Sequence, residues 1–315
     1  MAYKKNIDLR LRRLASTFSI VAFDPATRDL GVAVQSRYFS VGPIVPWAEA
    51  DVGAIATQSF VNVSYGPRGL QLLKEGSNVD EVIEKLTRED EGREFRQVGI
   101  VDSKGNSAAF TGKKCLEWAG SKIGKCYSAQ GNILANEDVV NRMGRKFETS
   151  RGDLADKLIA ALEGGEEAGG DARGRQSAAM LVVRKSKGRG GYGDRLIDLR
   201  VEDHANPIAE LKRLLTLHRV YYLIDEAEEM LVQEDTKSAV STIRKAIKLN
   251  PNSDDAYLDL GMMYMKTGKK EEAIQAFREV LRINPKMRVV VRQLPKVGLI
   301  KASEEFFKKL RLRQT

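Results

Sequence analysis

Apolar, β-branched residues come in short runs over the first two-thirds of the chain and at helical spacing over the last third. The runs TFSIVAF (17–23) and LGVAVQS (30–36) flank Asp24-Pro25 and Arg28-Asp29, which favour a turn, and so predict a β-hairpin. GAIATQS (53–59) predicts a third strand. Helical spacing follows in PRGLQLLKEG, where Pro67 suits a first turn and Gly76 a C-terminus. Asn78 and Glu81 have the spacing of a capping box that opens NVDEVIEKL. Two hairpins are expected next, 97–102 with 107–111, then 115–119 with 122–129 turning at Gly120-Ser121. Helices over 137–147 and 153–163 form another pair, and a last hairpin joins 177–184 to 195–201.

Helices that arrive in pairs between antiparallel hairpins exclude a doubly wound parallel sheet. The order predicts an α+β domain built as two stacked antiparallel sheets with helix pairs outside, a four-layer α-β-β-α sandwich. The uniformly apolar AAMLVV and IVAF fit strands buried on both faces.

Beyond residue 222 the pattern is helical and repeats itself. Ala239, Ala246 and Pro251 recur 34 residues later as Ala273, Val280 and Pro285. With Tyr257, Leu260, Gly261, Tyr264, Gly268 and Phe277, residues 254–287 resemble a tetratricopeptide repeat. Residues 220–253 depart from it at Glu226-Ala227, where Leu-Gly is expected. Residues 300–312 predict a closing amphipathic helix with Phe306, Phe307 and Leu310 inward. The expected organisation is a basic extension (1–16), an α+β domain (17–222) and a tetratricopeptide-like all-α module (223–315) through which a protein partner binds. Edge strands and repeat faces also allow a homo-oligomer.

Composition changes this picture little. At 42% hydrophobic and 30% charged residues the chain is globular rather than disordered. No apolar run reaches the ~20 residues of a membrane helix, and the N-terminus lacks the apolar core of a secretory signal, which points to the cytoplasm. The net charge of +9 divides into +4 on residues 1–16, +7 on residues 286–315 and −2 on the rest. Basic charge confined to two ends reads as solvated termini rather than a nucleic-acid surface. Cys115 and Cys126 would face each other across the expected hairpin, as reduced thiols in a cytosolic chain. With only His204 and His218 beside them they make no metal site, and no nucleotide-binding glycine motif is present, so no cofactor is expected.

One residue carries candidate chemistry. Thr17 opens the first strand, and a threonine with a free α-amine is nucleophile and base in one residue. Here sixteen residues precede it and no methionine lies between Met1 and Met143, so exposing that amine requires cleavage after Ser16.

The segments TFSIVAFD, GVAVQSR, GAIATQS, YGPRGL, FRQVGIVD, QGNIL and GGDARGRQSAA resemble, in this order, a bacterial and archaeal domain family of unknown function (number ten twenty-eight) that belongs with the N-terminal-nucleophile hydrolases. The resemblance covers residues 17–222. It implies the same sandwich, amide-bond hydrolysis of a small amide or peptide, and Thr17 as nucleophile. Proteasome-like members carry an acid where this chain has Gln35, before Ser36-Arg37, and a lysine near its Val45, Pro46 and Trp47. Thr17 would therefore rely on its own amine. Ser36, Asn132 and Asp171 are the other candidate catalytic residues, Asn132 after Gly131 as an oxyanion donor. Arg37, Ser59, Arg173, Arg175 and Gln176 are candidate substrate contacts, the arginines suiting a substrate carboxylate; the equal alternative is that Asp171 and the arginines form ion pairs that pin this loop. The alternative is a non-catalytic scaffold whose repeats recruit a partner.

Overall fold

The computed structural model describes residues 14–15 and 17–312. Most of the basic extension and the last three residues lie outside the described residues. The chain divides into two compact units after Arg213. The expected boundary at residue 222 falls within one continuous helix, Pro207–Val232.

In chain order the first unit contains β1 (Leu14–Ala15), β2 (Thr17–Asp24), β3 (Asp29–Ser36), β4 (Pro46–Glu49), β5 (Gly53–Phe60), α1 (Tyr65–Lys74), α2 (Val79–Arg88), β6 (Arg96–Asp102), β7 (Ser107–Thr111), β8 (Gly120–Gly124), β9 (Tyr127–Asn132), α3 (Asp138–Thr149), α4 (Leu154–Glu167), β10 (Ser177–Val183) and β11 (Arg195–Val201). All strand pairs are antiparallel. One sheet runs β11-β10-β3-β2-β9-β8, the other β1-β5-β6-β7 with β4 also on β5. Because β6 occupies one edge of β5, β4 and β1 share the other, at Gly53–Ala56 and Ser59–Phe60.

Alternation sorts the side chains. Val21, Phe23, Leu30, Val32 and Val34 meet Ala54, Ala56 and Val101 between the sheets. Ile55, Val98 and Ile100 point the other way and pack on Tyr65, Leu70, Val79, Val82 and Leu86 of α1 and α2. Helix α4 lies on β2 and β3, and α3 on β8 and β9. Gly31 makes that approach possible, since a Cβ there would stand 2.8 Å from Leu158 Cδ1. The mixed α+β class with antiparallel sheets is the one the element order predicts.

Local signals read as expected at α2, where Asn78 Oδ1 accepts the Glu81 N–H at 3.0 Å and Glu81 Oε2 accepts the Asn78 N–H at 3.1 Å. The hairpin expected to set Cys115 opposite Cys126 does not form. Strand β8 starts only at Gly120 and turns at Lys125-Cys126, so Gly124 pairs with Tyr127. Cys126 takes the positive φ of that turn, and the Cys115 thiol donates to Arg96 O at 3.3 Å. Both cysteines are free thiols. The sequence reading also missed the short strands β1 and β4.

The second unit continues Pro207–Val232 (α5) with α6 (Thr236–Leu249), α7 (Asp254–Lys266), α8 (Lys270–Ile283), α9 (Arg288–Gln293) and α10 (Glu304–Lys309). The repeat alanines 239, 246 and 273 are fully buried. Gly261 lets α7 and α8 close together, since a Cβ there would touch the Phe277 ring at 3.0 Å. The closing helix is shorter than 300–312, but Phe306, Phe307 and Leu310 are buried as expected. Among the described residues no helix is long and apolar enough to cross a membrane.

Candidate functional site

Thr17 occupies the first position of β2, with Ser36 of β3 on one side and Asn132 of β9 on the other. The three lie in one row on the face of the sheet that meets the second sheet, and all are fully buried. The Thr17 hydroxyl donates to Ser36 Oγ at 3.2 Å. Just upstream, β1 pairs Leu14 with Phe60 and Ala15 with Ser59, in the sheet that β2 does not join.

Beneath that row the space between the sheets holds a closed layer of amides. Gln58 Nε2 donates to Gln97 Oε1 at 2.8 Å, and Asn132 Nδ2 donates to the same oxygen at 3.0 Å. Gln97 Nε2 donates to Gly131 O at 2.7 Å. Ser19 Oγ donates to Gln58 Oε1 at 2.6 Å and accepts from Gln130 Nε2 at 2.7 Å. Ser128 Oγ donates to Gln130 Oε1 at 2.8 Å. Every one of these side chains is fully buried. Mutual satisfaction offsets the cost of burying so many polar groups. None of them titrates near neutral pH, so the layer orients Thr17 and Asn132 without supplying a base. Glutamines 58, 97 and 130 escaped the sequence reading. Their signal is one glutamine in each of three otherwise small or apolar strands.

A second group adjoins the row through Arg37. Asp171 is buried, accepts the Arg37 N–H at 3.0 Å and the Arg173 N–H at 2.9 Å, and pairs with the Arg173 guanidinium at 3.1 Å. It also bridges to Leu134, two residues beyond Asn132. Asp171 thus ties the ends of β3 and β9 to the loop that enters β10. The Arg37 guanidinium donates to Gln176 Oε1, whereas Arg175 is paired with Glu166. Two of the three arginines expected to clasp a carboxylate are therefore held by acids, and Arg37 by a neutral amide.

Ser59 takes a positive φ of 68° and lies beside the Cys115 thiol rather than in the Thr17 row. Burial pushes that thiol up. Ser59, next to last in β5, lies opposite Ala15, where β1 is seated. Among the described residues no group of three or more His, Cys, Asp or Glu side chains stands close enough to hold a metal ion.

An antiparallel α+β unit with a buried strand-start threonine, followed by paired helices, is the class this geometry defines. The model of the Family of unknown function (DUF1028) matches residues 17–211, more than half of the chain, and the chain belongs to that family. A tetratricopeptide repeat matches residues 254–287. Among solved structures the chain is similar to protein SPO2555 from Silicibacter pomeroyi, itself assigned to DUF1028. The two share 33% identity with a TM-score of 0.59, over 64% of this chain and 85% of that one. Anaphase-promoting complex subunit 3 of Schizosaccharomyces pombe is 30% identical over 92 residues, which is 28% of this chain. The chain spans only 14% of the length of that relative.

Proposed function

We propose that the first unit is a four-layer α-β-β-α sandwich of the N-terminal-nucleophile type, with Thr17 as a latent nucleophile that hydrolyses an amide bond once the Ser16–Thr17 bond is cut. The observation that carries this reading is the row Ser36–Thr17–Asn132, with the Thr17 hydroxyl at a strand start and 3.2 Å from Ser36 Oγ. The cut frees the Thr17 amine, which takes the hydroxyl proton while the oxygen attacks a substrate carbonyl. Asn132, aimed by Gln97, is the side-chain amide available to the developing oxyanion. Loss of the upstream segment also strips β1 from the edge of β5 at Ser59–Phe60, leaving backbone groups for an extended substrate. Arg37 is the cation that selects a substrate carboxylate, which favours small acidic amides.

The test is a chain engineered to begin at Thr17, assayed on small amides that bear a free carboxylate. Activity that survives in Thr17→Ser and vanishes in Thr17→Ala supports the reading; a trimmed, folded protein that cleaves no amide overturns it.

A second reading is favoured by the complete burial of Thr17 and by the helical repeats. In it the first unit is a non-catalytic scaffold and residues 223–315 bind a protein partner. The two readings share the partner-binding module and differ only at Thr17.

A further inference from the structure

Helix α7 buries an acid that its own packing does not use. Asp259 is 8% exposed, yet no hydrogen bond or ion pair reaches its carboxylate among the described residues. Glu228 and Asp225 of α5 and Asp255 one turn back on α7 act on it as like charges. Burial first, then these like charges, push the Asp259 carboxyl up to about 7. On the same face Tyr221, 45% exposed, donates to Asp255 Oδ2 at 2.8 Å, and Asp254 accepts from Asn284 Nδ2 at 2.7 Å. These acids are not gathered closely enough for a metal ion. An ionised carboxylate left without a counter-charge among others of its sign costs stability, and either a proton or a cation that reaches it relieves that cost. Guanidinium and ammonium heads on long apolar stems can reach a buried carboxylate, and a bidentate head matches it.

We propose that the α5–α7 face, centred on Asp259, docks an arginine- or lysine-bearing peptide segment of a partner protein. Charge complementarity selects the occupant: Asp259 carries no counter-charge and the neighbouring Glu228 and Asp255 share its sign. This inference deepens the reading of residues 223–315 as a partner-binding module, rests on that reading, and is independent of Thr17.

The test is selection from a displayed library of random octapeptides on the full chain, on Asp259→Asn and on Glu228→Gln/Asp255→Asn. Wild-type protein is expected to enrich Arg or Lys at one fixed position, and Asp259→Asn to lose that preference. A labelled peptide from the selection should bind about tenfold more weakly to Asp259→Asn, the loss of a charge-assisted pair. The same peptide with citrulline for arginine should lose as much on wild-type protein, which keeps the test decisive even if the variant misfolds. Enriched peptides without a basic residue, or equal binding to Asp259→Asn, overturn the assignment while leaving partner binding standing. Displacement by millimolar Mg2+, or enrichment of stretches matching this chain's own basic ends, hands the face to a metal ion or a second copy and overturns it too. No enrichment on any of the three proteins overturns the partner-binding reading itself.

Discussion

Gly99 of β6 stands directly across from Gln130 of β9, and a Cβ at position 99 would lie 2.0 Å from Gln130 Oε1. The missing side chain in one sheet is the room in which an amide from the other completes its bonds to Ser19 and Ser128. Gly99→Ala should displace Gln130 and cost about 1–3 kcal/mol by overpacking and by unpairing buried amides. Denaturant titration reads that loss. Gly99→Ala combined with Gln130→Ala should recover part of it, since the intruding methyl then meets a vacated volume.

Asp90 is the anchor of the Phe60 end of β5. It accepts from Arg96 Nε at 2.8 Å, from Asn62 Nδ2 and Tyr65 Oη at 3.0 Å each, and from the Gly92 N–H at 2.7 Å. Burial pushes its carboxyl up, but the bonds from Arg96, Asn62 and Gly92 outweigh this and hold it at about 2. A depressed carboxylate contributes stability that is present above its unfolded value of 3.8 and lost as pH falls through 2. The contribution is about 2–3 kcal/mol. Arg96→Met should remove most of it, flattening the acid limb of a melting-temperature profile between pH 5 and pH 2. Because Arg96 also donates to Phe60 O, this variant should loosen the edge on which β1 is seated.

The opposite sign holds at Asp259. Its folded value of about 7 lies above the ordinary 3.8, so the folded state binds the proton more tightly and stability falls as pH rises from about 4 to about 7. Asp259→Asn should abolish that fall and raise stability at pH 8 by about 2–4 kcal/mol. A variant that gains stability at pH 8 while losing a basic peptide separates docking from folding. An unchanged melting profile for Asp259→Asn would contradict the burial argument.

Much of the fold was legible because local signals and pattern agree. The Asn78–Glu81 box, the uniformly apolar strands and the 34-residue spacing each correspond to one physical demand, and each is met in the structure. What was not legible depends on contacts distant in sequence. The pairing of Leu14 with Phe60 is of that kind. Strand β4 is instead a local hairpin onto β5, Glu49 opposite Gly53, that no apolar run announces. The sequence predicts a strand over 115–119 turning at Gly120-Ser121, whereas the two-residue turn at Lys125-Cys126 sets the register further along. At the candidate site, Thr17 was legible from its place in the first strand. The amide layer was not, because Gln58, Gln97 and Gln130 meet only when two sheets close. Asp171 stands two residues before Arg173, so their ion pair is local in sequence, whereas only the fold brings Glu166 to Arg175.

Thr17→Ala in the uncut chain removes a hydroxyl bonded to Ser36 and one methyl from a fully buried site. It should cost about 1–2 kcal/mol and leave the fold cooperative in thermal melting. If Thr17 cuts its own upstream bond, the same variant should also retain residues 1–16 where the natural chain loses them. Thr17→Ala protein processed like wild type would assign the cut to another protease.

The most direct test of Thr17 as a latent nucleophile is the intact mass of the protein isolated from its native host. The amidase account predicts a chain that begins at Thr17 and lacks the mass of residues 1–16. A chain that still carries Met1 or Ala2 at its terminus contradicts it, because the amine that must accept the hydroxyl proton would then remain locked in a peptide bond.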